Sequence, residues 1–113
     1  MRERRQPRDV QYAVMDDRLV QTVTPSRGSQ YVHRCTRRIF EDVCYAIEAR
    51  PAEGVTMVTL AAALDAPYTQ VNVALEFLKE RGCVKTRLRR SYPASNMLFE
   101  DAMTEFFALA EGA

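Results

Sequence analysis

Apolar residues change their spacing along the chain, and the changes mark out its elements. Near the N-terminus "VQYAVM" alternates, which puts Val10, Tyr12 and Val14 on one side of an extended strand. Asp16–Asp17 offers a turn, and "RLVQTVT" is β-branched enough to be a partner strand, so a β-hairpin is expected over residues 10–24. "PSRGS" reads as a loop. From Thr36 the period lengthens: Ile39, Phe40, Val43, Cys44 and Ile47 fall on one helical face. Thr36 suits an N-cap, and Pro51 disfavours the α conformation of Arg50, so a first helix is expected over 36–50.

"PAEG" breaks the chain, and Thr56 can cap a short second helix over 57–65 carrying Leu60, Ala61 and Leu64. Pro67 fits at the start of a third helix over 68–81, where its missing N–H costs nothing. Val71, Ala74, Leu75 and Leu78 form the core face of that helix. Its other face reads Tyr68, Thr69, Asn72, Val73, Glu76 and Glu80. Gly82 sits where a left-handed helix ending belongs, with Cys83 placed to touch Leu78. After it "CVKTRLRRSY" alternates as one strand over 83–92, with Lys85, Arg87 and Arg89 opposite Val84, Thr86 and Leu88. "PASN" turns the chain, and Ser95 or Asn96 can cap a last helix over 97–111. The fold class this predicts is mainly α with a small β component, α+β, in a single domain over residues 10–113. A flexible basic arm, residues 1–9, precedes it.

The order helix, short helix, tight turn, helix, glycine, basic strand resembles the winged helix-turn-helix domain of bacterial transcriptional regulators. Thr56, Leu60, Ala61, Leu64, Val71, Leu75, Leu78, Gly82 and Val84 carry the resemblance, within residues 36–92. It implies a DNA-binding role, with the third helix in the major groove and the strand after Gly82 on the backbone. Tyr68 or Thr69 would reach a phosphate and Asn72 would pair with adenine, while Lys85, Arg87, Arg89 and Arg90 would fix the register on phosphates. Two departures stand out. Asp65 occupies the turn where such domains often have glycine, and Glu76 and Glu80 would repel phosphate. "SNMLFEDAM" looks helical, so the N-terminal hairpin is expected to complete the sheet of the wing.

Charge is unevenly distributed, although its net value is only +1. Residues 1–40 hold nine Arg against four acids, and residues 41–80 hold two basic residues against seven acids. Four of the last five basic residues lie between Lys85 and Arg90. This is not the overall positive surface of an indiscriminate nucleic-acid binder, so an electrostatic grip must come from the arm and the stretch after Gly82. The same cations also suit the protection of an exposed edge strand. The alternative role is a winged-helix protein-interaction module without nucleic acid, docking a partner through the acidic face of the third helix or through the last helix. That last helix has a second apolar stripe, Phe99, Met103 and Phe107, which would serve as a homodimer interface.

No catalytic constellation emerges. His33, the one histidine, has no nucleophile or carboxylate partner in sequence, and the acid pairs Asp16–Asp17 and Glu41–Asp42 suit a turn and a helix start. Cys35, Cys44 and Cys83 lack the close pairing of a zinc site and read as small buried hydrophobes, so neither metal nor cofactor is expected. An odd number of widely spaced cysteines, no apolar run near the ~18 residues of a membrane span and no signal-like segment point to a cytoplasmic protein.

Overall fold

A computed structural model describes residues 8–112. Three antiparallel strands come first: β1 (Arg8–Met15), β2 (Arg18–Pro25) and β3 (Tyr31–Thr36), in the order β1-β2-β3. The β1–β2 turn is Asp16–Asp17, both left-handed at φ 53° and 61°, a conformation that short acidic side chains tolerate and that matches the twist of the strands. The expected hairpin is therefore present, and it is extended by a third strand over residues to which the apolar pattern assigned no element. The expected arm lies mostly outside the described residues, and its last two positions, Arg8 and Asp9, belong to β1.

The register aligns Tyr12, Gln21 and His33 in one row across the three strands, and Val14, Leu19 and Cys35 in another, all on the face turned to the helices. β3 then passes directly into α1 (Arg37–Glu48). Thr36 is both the last strand residue and the N-cap, its Oγ1 accepting the Ile39 N–H at 3.2 Å. The expected face of α1 is the buried one, with Phe40, Val43, Cys44 and Ile47 inside and Ile39 at the margin.

α2 (Met57–Leu64) starts with a reciprocal capping box between Thr56 and Thr59 and stops at Asp65, which takes the left-handed φ of 52° in place of a glycine. α3 (Tyr68–Glu80) follows Pro67 and ends as its sequence predicts. Gly82 lies at φ 74°, the Cys83 N–H donates to the Leu78 carbonyl at 2.9 Å, and the Gly82 N–H donates to that of Lys79 at 3.1 Å.

A two-stranded hairpin, β4 (Val84–Arg87) and β5 (Arg90–Pro93), leads into α4 (Leu98–Ala110). The single strand expected over 83–92 thus folds back on itself at Leu88–Arg89. The hairpin supplies its own second strand, and the N-terminal sheet remains separate. Its further partner is Val55, which exchanges two backbone hydrogen bonds of 2.9 and 2.8 Å with Ser91. The cap expected at Ser95 or Asn96 is also replaced. Met97 holds the cap position without a side-chain bond, and the Glu48 carboxylate reaches from α1 to accept the Phe99 N–H at 2.7 Å.

α3 is where the layers meet. Val71, Ala74, Leu75 and Leu78 are buried as expected, but so are Val73 and Phe77. Val73 was expected on the open face and is wholly inaccessible, because β2 and β3 pack along that flank of the helix. Phe77 lies 5.1 Å from the Tyr12 ring and 5.7 Å from Phe40, which in turn lies 5.3 Å from Phe106 on α4. The result is an α+β domain of four helices and two small antiparallel sheets around one core.

Two substitutions test this burial. Leu78→Ala should lower stability by about 2–5 kcal/mol through the cavity it leaves. Val73→Asp should cost at least as much, since it would bury an unpaired charge. Chemical denaturation measures both. A midpoint unmoved by Val73→Asp would return that residue to the surface.

Candidate nucleic-acid interface

The hairpin β4–β5 has two faces. Val84 and Ser91 turn inward and are buried. Cross-strand pairing sets Lys85 opposite Tyr92 and Arg87 opposite Arg90, so these four side chains share the outer face. This corrects the sequence expectation: Arg90, not Arg89, joins Lys85 and Arg87, because Arg89 sits in the turn. Leu88 and Arg89 adopt left-handed φ values of 51° and 69°, costing roughly 1–2 kcal/mol per non-glycine residue. Leu88 is 88% exposed at the tip.

Tyr92 is held by a close approach to the α1–α2 loop. A Cβ at Gly54, which lies at φ 74°, would fall 2.7 and 2.8 Å from two carbons of the Tyr92 ring, so only glycine fits there. The Arg87 guanidinium carbon lies 4.8 Å from the centroid of that ring, within cation–π range. Arg90 Nη1 is 3.5 Å from the carbonyl oxygens of Glu53 and Gly54. Beside the pair, an open depression of about 370 Å³ is lined by Pro51, Lys85, Thr86, Arg87 and Tyr92.

Among the described residues, Lys85, Arg87, Arg89 and Arg90 have no carboxylate within 4.0 Å. Arg8, Arg37, Arg38 and Arg81 do, while Arg18, Arg27, Arg34, Arg50 and Lys79 are likewise without one; what sets the wing apart is that four such cations fall within six positions. Like charges directly opposite each other, as Arg87 and Arg90 are, work against the hairpin.

On α3, Tyr68 and Thr69 are exposed and Asn72 is half-buried. Glu76 is tethered. Its Oε1 accepts from Gln21 Nε2 at 2.8 Å, and its Oε2 lies 3.8 Å from Arg8. Gln21, almost fully buried, also donates to Tyr12 Oη at 3.1 Å. Burial, more than the nearby carboxylates Glu76 and Glu80, raises the Tyr12 pKa, while the Gln21 hydrogen bond opposes the rise. A second depression of about 360 Å³ lies between β1 and the C-terminal half of α3, lined by Arg8, Val10, Tyr12, Glu76, Lys79 and Glu80. That half of the helix therefore forms part of the floor of a recess. The network centred on Gln21 was not foreseen, since a glutamine within a β-branched run carries no sequence signal of its partner 55 positions away.

The stripe expected on α4 is largely spent within the chain. Met103 is buried in the chain's own core. Phe99 stacks on Tyr45 at 4.2 Å, and Phe107, 40% exposed, carries the Arg37 guanidinium at 4.8 Å. Among the described residues no three His, Cys, Asp or Glu side chains converge to hold a metal ion, and no helix is long and apolar enough to cross a membrane. His33 lies 5.1 Å from the Tyr31 ring. All three cysteines are free and buried. Burial pushes the Cys35 thiol up to about 12 and the Cys83 thiol to about 11, and it raises Cys44 as well. No protein family, curated protein or solved structure matches the chain.

The thiols give a direct test. Folded protein at pH 8 should react with a thiol reagent far more slowly than denatured protein, which should titrate three groups. Because these pKa values are raised on folding, the unfolded chain releases its thiol protons first. The stability they contribute is full below the ordinary value of 9.0 and falls as the pH rises toward about 12. Fast labelling of the native protein would contradict the burial.

Proposed function

We propose that the chain is a non-enzymatic DNA-binding module, of the kind that serves transcriptional regulation. In this reading residues 37–93 form a winged helix-turn-helix and β4–β5 is its wing, gripping backbone phosphates. The element order α1, α2, α3, β4, β5, the pairing of Val55 with Ser91 and the glycine ending of α3 support the winged-helix reading. The observation that carries the function is the wing's charge: four exposed cations without carboxylate partners among the described residues. Phosphates would supply the missing counter-charge, and three or four contacts would give a log–log salt slope of roughly −3. Reading of bases by α3 falls to Tyr68, Thr69 and Asn72, since Val73 is buried and Glu76 is tethered.

One observation favours a second reading, a protein-interaction module. The open side of α3 carries Glu76 and Glu80 beside Lys79, which suits a basic protein segment better than a phosphate backbone.

Arg87→Ala together with Arg89→Ala should weaken binding to DNA of any sequence and flatten the salt slope by about one unit for each lost contact. Asn72→Ala should instead change preference among sequences. Anisotropy titrations at two salt concentrations read both effects. A wild-type protein without measurable affinity at low salt leaves the protein-interaction reading.

A further inference from the structure

The outer face of the wing sets a guanidinium over an aromatic ring, chemistry more specific than a phosphate grip requires. We propose that Arg87, lying over the Tyr92 ring, is a platform for an unpaired nucleobase, so that the wing prefers single-stranded nucleic acid to duplex. The inference rests on the nucleic-acid reading above and names the ligand of the same site.

The platform is built from below. Ser91 is pinned to Val55 by two backbone hydrogen bonds, and the Tyr92 ring fills the space that Gly54 leaves by having no side chain. The guanidinium of Arg87 lies 4.8 Å above the centroid of this fixed ring. No carboxylate among the described residues lies within 4.0 Å to draw it away, and Arg87 is exposed, so the planar group offers a surface to solvent. Guanidinium planes stack on nucleobases in the same way that aromatic rings do.

Lys85 faces Tyr92 across the hairpin and Arg90 faces Arg87, so cations flank the platform where a strand's phosphates would pass. The adjoining depression, walled by Pro51 and Tyr92, has a volume of about 370 Å³, enough for a base and its sugar. A base inside a duplex has its faces stacked on the neighbouring pairs and shows a protein only its groove edges, whereas an unpaired base offers a face that stacks whatever its identity. On α3 only the N-terminal turn, with Tyr68 and Thr69 exposed, is open to a groove. The C-terminal half of α3 lies in a recess beside Val10 and Tyr12 of β1, and it brings Glu76 and Glu80 with it.

The test compares three end-labelled probes of equal length by fluorescence anisotropy at low salt: oligothymidylate, the same backbone without bases, and a duplex. Oligothymidylate should bind wild-type protein about tenfold more tightly than the abasic strand, and more tightly than the duplex. Arg87→Lys keeps the charge but loses the plane. It should therefore abolish most of the advantage over the abasic strand while leaving the salt slope unchanged. Equal binding of the thymidylate and abasic strands, or a full preference retained by Arg87→Lys, would overturn the platform and leave the phosphate grip standing. Binding of no probe would remove the platform together with the reading beneath it.

Discussion

A line of aromatic rings, Tyr12, Phe77, Phe40 and Phe106, crosses the molecule from the sheet to the last helix, and the other layers are arranged around it. Phe77 is its pivot because α3 is covered on two flanks, by helices on one and by strands on the other. A helix in that position must be apolar beyond a single stripe, which is why Val73 and Phe77 are buried along with Val71, Ala74, Leu75 and Leu78. The bridge from the almost fully buried Gln21 of the sheet to Glu76 of α3 is acceptable because its donors and acceptors are matched. Among the described residues no buried side-chain nitrogen or oxygen lacks a partner.

Much of the helical layer was legible. The i, i+4 spacing from Phe40 to Ile47, the Thr36 and Thr56 caps and the Gly82 ending are local signals, each set within a turn or two of chain. The sheet was legible only where alternation was clean. β3, "YVHRCT", buries Cys35 fully and leaves Tyr31, Val32 and Arg34 exposed, so its period-two pattern is diluted below notice. Val73 misled for a related reason. An apolar residue on the far flank of a helix is read as exposed unless a covering element is known, and the cover here comes from strands 37 to 55 positions earlier in the chain.

The candidate site followed the same rule. Its charges could be counted along the chain, but their arrangement could not. Nothing in "TRLRRS" advertises a turn, since leucine and arginine are poor left-handed residues and no glycine or asparagine is present. The turn is imposed from outside, by the Val55 pairing with Ser91, the bond from the Ala94 N–H to the Cys83 carbonyl, and the seating of Tyr92 on Gly54. These contacts move Arg89 off the face that alternation assigned to it and bring Arg90 and Tyr92 onto it. The cation–aromatic pair is thus a product of register, invisible to a count of charges.

The junction at Thr36 constrains how this architecture can have been assembled. β3 enters α1 without an intervening residue. Thr36 is bound on both sides, its N–H donating to Gln70 Oε1 at 3.0 Å and its hydroxyl capping α1. A joint of this kind has no slack. The three N-terminal strands are therefore not an appendix that could be gained or shed by fusion at a linker. Any shorter ancestor or trimmed derivative lacking them would have to recap α1, replace the partner of Gln70 and repopulate the Val73–Phe77 flank with polar residues. Sheet and helices are therefore expected to fold and unfold as one unit.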